Sequence, residues 1–171
     1  MIIRDATEKD FKAIVRLVPT REELHRVYPK GTHPFTVEQL RELSAVRKDL
    51  TVALVHEEII GFASFYGLAP QQRVFIGNVV IECNHREQGF GRKLVTCMIT
   101  KAFEKYGLPE VRISVLSENI PALALYTDLR FEPYSITIRR ALSGRRVAFV
   151  HMKLGRDAHY AHTAAPAATQ P

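Results

Sequence analysis

At 171 residues and 19.4 kDa, the chain has the length of one domain. Its residues are 46% hydrophobic and 25% charged, which excludes a wholly disordered polymer, and no apolar run approaches the ~20 residues that span a bilayer. Net charge is +6, and segment 133–156 holds the excess: it has no Asp or Glu but carries Arg139, Arg140, Arg145, Arg146, Lys153 and Arg156. That basic stretch suits either a solvated hairpin face or a surface for phosphates, acidic substrates or RNA. No aromatic ladder accompanies it, so nucleic acid is the weaker expectation. The two cysteines, Cys83 and Cys97, make no disulfide framework and lack zinc-ligand spacing, so no metal is expected. The first residues lack the apolar stretch of a signal peptide, and a reducing cytoplasm is the expected compartment.

In chain order, residues 2–4 read as a first strand. Thr7 with Asp10 three residues on starts a helix that carries Phe11, Ile14, Val15 and Val18 and stops at Pro19. Residues 19–35 hold Pro19, Pro29, Gly31 and Pro34 and read as loop, with a short helix at 21–27. Thr36 and Gln39 form a second capping pattern ahead of Leu40, Leu43 and Val46. Residues 51–55 and 59–66 read as a hairpin across His56-Glu57-Glu58, and 67–72 as loop. A long apolar strand follows over 73–83, then a helix over 89–106 that ends at Gly107 and Pro109. Val111, Ile113 and Val115 alternate as a strand, and Pro121 opens a helix ending near Leu129. Residues 131–138 and 146–154 form a closing hairpin, and from Gly155 the composition is that of a flexible Ala/Pro/Thr-rich tail. Hairpins mixed with strand–helix–strand units predict an α+β fold, or mixed α/β, with a helix-covered sheet. The predicted domain is 1–154, with 155–171 as the tail.

The richest segment runs from Val79 to Leu94, where a strand enters a short turn and then a helix. The turn contains Gly89 and Gly91, with Arg86, Arg92 and Lys93 around it. Unpaired amides at the positive end of a helix, with glycines that let backbone approach, suit a phosphate. A Walker loop fails because Leu94 follows Lys93 where Ser or Thr is required, and a dinucleotide fingerprint fails because its third glycine is absent. The remaining pattern, Arg86-x-x-Gly89-x-Gly91, resembles the acyl-CoA pyrophosphate loop of the GNAT superfamily of N-acyltransferases. Downstream, Asn119, Ala122, Leu125, Tyr126 and Phe131 resemble that family's second signature, with Arg130 where it usually has Gly.

The resemblance implies a mixed sheet of about seven strands with about four flanking helices, in which strands four and five splay. It implies acetyl-CoA as cofactor and an acetyl transfer to a primary amine, on a small molecule or a protein, by direct attack in a ternary complex. Val79, Val80 and Ile81 would hold the pantetheine arm. Arg86, Glu87, Gln88, Gly89, Phe90, Gly91 and Arg92 would hold the diphosphate, and Asn119 and Ala122 would line the facing wall. Tyr126 would protonate the departing thiolate, since a phenol with a pKa near ~10 is a neutral donor at pH 7. Phe75 and Ser114 stand where relatives place a catalytic carboxylate, so the base is open; Glu82 is the nearest acid, with Asn78, a water chain, His25 and His33 as alternatives. Tyr28, His33, Phe35, Tyr66, Asn78 and Arg140 are candidate acceptor contacts on architecture alone. A homodimer is a family-level expectation. The alternatives are a catalytically weak CoA-binding or regulatory module and, less favoured, a nucleic-acid-binding protein.

Overall fold

The computed structural model describes residues 1–163. Strand β1 (Ile2–Asp5) leads into a 3-10 turn and helix α1 (Phe11–Arg16), followed by α2 (Arg21–Val27) and α3 (Val37–Val46). The meander β2 (Lys48–Val55), β3 (Glu58–Ala69) and β4 (Arg73–Ile81) precedes α4 (Phe90–Thr100), which continues into a π-helical turn, Lys101–Lys105. Then come β5 (Glu110–Leu116), α5 (Ile120–Asp128), β6 (Glu132–Arg140), β7 (Arg146–Gly155) and α6 (Arg156–Thr163).

All seven strands form one sheet in the order β1-β2-β3-β4-β5-β7-β6. Only β4 and β5 run parallel. Their ladder has four residue pairs, from Arg73 with Glu110 to Ile76 with Ile113, and stops there. Beyond it β4 stays paired with β3 as far as Ile81, and β5 stays paired with β7 as far as Leu116. The two strands therefore part at Gly77 and Ser114. This is the expected mixed fold with strands four and five splayed.

Two apolar layers sandwich the sheet. Leu94, Val95, Met98, Ile99, Ala102 and Phe103 of α4 and its extension cover one face, with Tyr126 and Phe131. Phe11, Ile14, Leu24, Leu40 and Leu43 of the first three helices cover the other, meeting Val52, Phe62 and Val80. Along Arg73–Ile81 the even-numbered residues are buried and the odd-numbered ones half exposed, with Val74 and Ile76 in the first layer and Val80 in the second.

Local chemistry explains most boundaries. Thr36 caps α3 by accepting from the Gln39 amide at 3.2 Å. The Gln39 side chain does not complete a capping box; it donates to the carbonyls of Thr32 and Pro34 at 2.8 and 2.9 Å and so folds the preceding loop onto α3. The first helix is shorter than its apolar spacing predicts, because Glu8–Asp10 forms a 3-10 turn in which Asp10 receives the Thr7 amide at 2.7 Å. Its carboxylate is also gripped by both terminal nitrogens of Arg4, at 2.7 and 2.8 Å.

Helix α5 ends in a Schellman motif: Arg130 N–H donates to Thr127 and Phe131 N–H to Tyr126, both at 2.9 Å. Arg130 occupies the left-handed position at φ 67°, where the resembled family has Gly. The predicted long strand ends at Ile81 rather than 83, since Cys83–His85 coils into a 3-10 turn capped by Glu82. Six α-helices are described instead of about four. The short α2 and the C-terminal α6 make the difference. Residues 156–163 of the expected flexible tail are helical, and the rest of it, 164–171, lies outside the described residues.

Candidate functional site

The parting of β4 and β5 opens a cavity of about 120 Å³. Backbone and side chains of Ile76 to Val79 form one wall, and Ile113 to Leu116 the other. Asn119 and Tyr126 of the α5 segment reach it from one side, and Arg26, Val27 and Pro29 from the other. Arg47, Tyr66 and Phe149 complete the lining. No Asp or Glu lines it among the described residues.

A β-bulge shapes the β4 wall. Phe62 pairs with Val80 and Ser64 with Gly77, so two β4 residues oppose the single residue Ala63. Asn78 sits in the bulge at φ 55°, a left-handed conformation that Asn tolerates better than most residues. Its side chain is buried and engaged at both ends: Oδ1 accepts from Ser64 Oγ at 2.8 Å, and Nδ2 donates to the Val27 carbonyl at 3.0 Å. Asn78 thereby ties α2 to the bulge. Past Ile76 the β4 edge facing β5 has no ladder partner, leaving backbone groups for an extended ligand.

Tyr126 is buried, with its ring 6.0 Å from that of Phe131. Burial pushes its hydroxyl well above the usual phenol pKa, so it is a neutral donor over the physiological range. Asn119 caps α5 by accepting from the Ala122 amide at 3.4 Å, and Pro121 fills the first turn. The Asn–Ala spacing of the second motif is thus a helix start beside the cavity.

The glycine bend lies at the open end of the cleft. Gly89 caps α4 at φ 78°, a position no L-residue takes cheaply, and a Cβ there would meet nothing within 4 Å. Lys93 is the first α4 residue to donate back, to Gly89 at 3.2 Å, so the amides of 90–92 precede the helix's own acceptors. Arg86 and Arg92 are exposed at the bend and paired with Glu23 and Asp128, both at 2.7 Å. The Arg92–Asp128 pair is exposed on both sides and yields readily to a better anion, whereas Arg86 is held by a mostly buried Glu23 and by the Ile81 carbonyl at 2.9 Å. An open helix start with two arginines fits a diphosphate.

The remaining expectations divide. Val79 lines the cavity, whereas the Val80 side chain is buried in the helix α1–α3 layer, and Ile81 and Ala122 pack at the edge of the other layer. Glu87, at φ 62°, and Gln88 are exposed in the bend, and the Phe90 ring lies tilted 6.0 Å from that of His85. Glu82 stands outside the cavity. Its carboxylate accepts from Cys83 Sγ at 3.1 Å and the Asn84 amide at 2.9 Å, and lies 2.8 Å from His85 Nδ1. The Cys83 and His85 contacts hold its pKa below the usual carboxylate range. Tyr66 and Asn78 do line the cavity. Tyr28 and Phe35 pack on each other at 6.2 Å beneath α2 and α3, His33 Nε2 lies 3.2 Å from the Pro19 carbonyl, and Arg140 binds Gly144 O in the distal hairpin. None of these four lines the cavity.

Sequence reasoning missed Arg26, Arg47, Phe149 and His151. Arg47 lies over the Tyr66 ring at 4.3 Å, and that ring stacks on Phe75 at 5.0 Å. Tyr66 fits because residue 77 is glycine: a Cβ there would stand 2.8 Å from the ring. A glycine inside a strand pattern was the one available signal. His151, on β7, bridges two hydroxyls, with Nδ1 2.8 Å from Ser114 Oγ and Nε2 3.0 Å from Thr137 Oγ1. Burial and then Arg139 hold its pKa below the ordinary histidine value. Ser114 also faces the Tyr66 hydroxyl.

No described helix is long and apolar enough to cross a membrane, and the described residues hold no cluster of metal-ligand side chains.

Comparisons with known proteins agree with this architecture. A probable spermine N(1)-acetyltransferase of Bacillus subtilis subsp. natto is 29% identical over 89 residues, which is 47% of this chain and 58% of that protein. The chain thus matches little more than half the length of that curated relative. Spermidine N-acetyltransferase from Vibrio cholerae, solved in complex with CoA and spermine, superposes with a TM-score of 0.79 at 18% identity, covering 93% of this chain and 97% of that one. A ribosomal-protein-alanine N-acetyltransferase from Brucella melitensis gives a TM-score of 0.75 at 20% identity, with 91% and 99% covered. These likenesses show the fold. The sequence model of the acetyltransferase (GNAT) family matches residues 15–131, most of the chain, and the protein belongs to that family.

Proposed function

We propose that residues 1–154 form one acetyltransferase domain that moves an acetyl group from acetyl-CoA to a primary amine, by direct attack with both reactants bound. The observation that carries the reading is the parting of β4 and β5 beside the buried Tyr126 hydroxyl. Acetyl-CoA would supply a thioester that is already activated, so the protein's work is alignment, charge stabilisation and proton transfer. Arg86, Arg92 and the amides at the start of α4 would hold the diphosphate. The free edge of β4 at Val79 and Ile81 would align the pantetheine arm, with Asn119 and Ala122 opposite. Tyr126 donates a proton to the leaving thiolate.

The amine must lose a proton, and Glu82 is engaged elsewhere. Ser114 lines the cavity and touches His151, whose depressed pKa leaves it neutral and able to accept a proton at pH 7. We assign this pair the outgoing proton. The pair also supports activity over the alternative of a catalytically weak CoA-binding module, which rests on the missing carboxylates at Phe75 and Ser114.

Calorimetric titration with acetyl-CoA, followed by a screen of amines for thiol release, tests the proposal. Tyr126→Phe should lower turnover at least about tenfold while CoA affinity stays within about threefold. Tight CoA binding with no thiol release from any amine would favour the regulatory module instead.

A further inference from the structure

The acceptor side of the cavity carries a cation without an acid. Arg47 follows the last turn of α3, and its guanidinium lies against the Tyr66 ring, with Nη1 3.7 Å from where a Cβ on Gly77 would stand. Its Nε is buried and has no hydrogen-bond partner. The buried Nε of Arg73 is likewise without a partner, but Arg73 lies outside the cavity and donates to Gln72 Oε1 at 3.1 Å; half-buried Arg112 has its own acid, Glu110, at 2.6 Å. Arg47 has none among the described residues. A guanidinium stays charged, and leaving one buried and unpaired is costly unless a ligand completes it. Arg26 lies exposed on the same lining, and Asn78, Ser114 and Asn119 add only neutral groups.

Resting on the acetyl-transfer reading above, we propose that the acceptor is a small amine bearing its own anionic group, a carboxylate or a phosphorus oxyacid, which Arg47 binds with Arg26 at the rim. A planar guanidinium presents paired donors to either oxyanion, and the aromatic ring beneath it fixes its plane. The same lining disfavours a polyamine, whose second and third ammonium groups need carboxylates that this cavity lacks. The chain would then differ in substrate from the spermine acetyltransferase it resembles.

Calorimetry on the protein–CoA complex tests this with four probe sets: L-amino acids, their decarboxylated counterparts, aminoalkylphosphonates, and spermidine. At least one acid-bearing amine should bind about tenfold or more tightly than its neutral counterpart and than spermidine. The carboxylate and phosphonate arms separate the two anion types. Arg47→Gln should cut that preference to below about threefold without changing CoA affinity, and Arg47→Lys should keep part of it. Equal or tighter binding of spermidine or of the decarboxylated amines overturns the proposal, and so does a complex that binds CoA but none of the acid-bearing probes. These results need only the unmodified protein, so they stand even where the Arg47 variants fold poorly. A preference that survives in Arg47→Gln also overturns it. Failure to bind CoA at all would instead count against the acetyl-transfer reading.

Discussion

Gly77→Ala offers a sharp test of the site geometry, because its sign depends on one neighbour. Gly77 lies within a strand with no requirement for positive φ, so Ala should by itself stabilise the strand by about 0.5–1 kcal/mol through lower backbone entropy in the unfolded chain. In this fold the new Cβ would stand 2.8 and 2.9 Å from two atoms of the Tyr66 ring. Ordinary contact begins at 3.4 Å, so the ring must retreat by about 0.6 Å. It has little freedom to do so, held between Phe75 at 5.0 Å and Arg47 at 4.3 Å. Overpacking of that kind costs about 1–3 kcal/mol. The net loss should centre on about 1.2 kcal/mol, or roughly 2–5 °C in melting temperature for a chain of this size. Chemical denaturation of Gly77→Ala, Tyr66→Ala and the double variant closes the cycle. On the Tyr66→Ala background, Gly77→Ala should become neutral or stabilising. A single variant at least as stable as the parent, or a cycle with no coupling, would refute the placement of Tyr66 across the start of the cleft.

Other outcomes follow from the proton path and the helix ends. The pH profile of kcat/KM should have an acid limb set by His151: below its depressed pKa the imidazole is already protonated and cannot accept from Ser114, so activity falls. His151→Gln should lose at least about tenfold in kcat and abolish that limb, while an unchanged limb would remove His151 from the path. Arg130→Gly should raise stability by about 1 kcal/mol, read by thermal melting, because it relieves a left-handed arginine at the end of α5. Asp10→Asn should cost about 2 kcal/mol at pH 7, through the lost cap and charge-assisted bonds to Arg4. The Arg4 hydrogen bonds lower the Asp10 pKa, so this contribution is complete above the ordinary Asp value of ~3.9 and fades as pH falls through the depressed native one. Urea titrations of both proteins should therefore show the full gap at pH 7 and a gap that is narrowed but still present at pH 3.

Elements whose ends carry their own chemistry were legible in the sequence. Thr36, Asn119 with Pro121, and Gly107 with Pro109 mark boundaries that need no distant partner. The alternation of residues 111–115 likewise predicts the buried faces of β5. The glycine bend and Tyr126 were legible as motifs because their neighbours lie within one local strand–helix unit. The acceptor wall was not. Arg26, Arg47 and Ser114 come to one cavity from separate segments, and His151 reaches Ser114 because β7 inserts between β5 and β6. Nothing local in residues 146–155 says which strand they pair with. The candidate contacts Tyr28, His33, Phe35 and Arg140 come from segments flanking the cleft, but each is spent on its own neighbourhood.

The four-pair seam between β4 and β5 has a mechanical consequence. The half-sheet of β1–β4 and that of β5–β7 share so few hydrogen bonds that side-chain packing, with Ile76 and Ile113 against Leu94 and Met98, must set the angle between them. The wedge is therefore governed from its apex. Trimming Met98 on α4 should change how far the jaws open without touching a residue that meets either reactant, so breathing of the gap can be tuned separately from its chemistry.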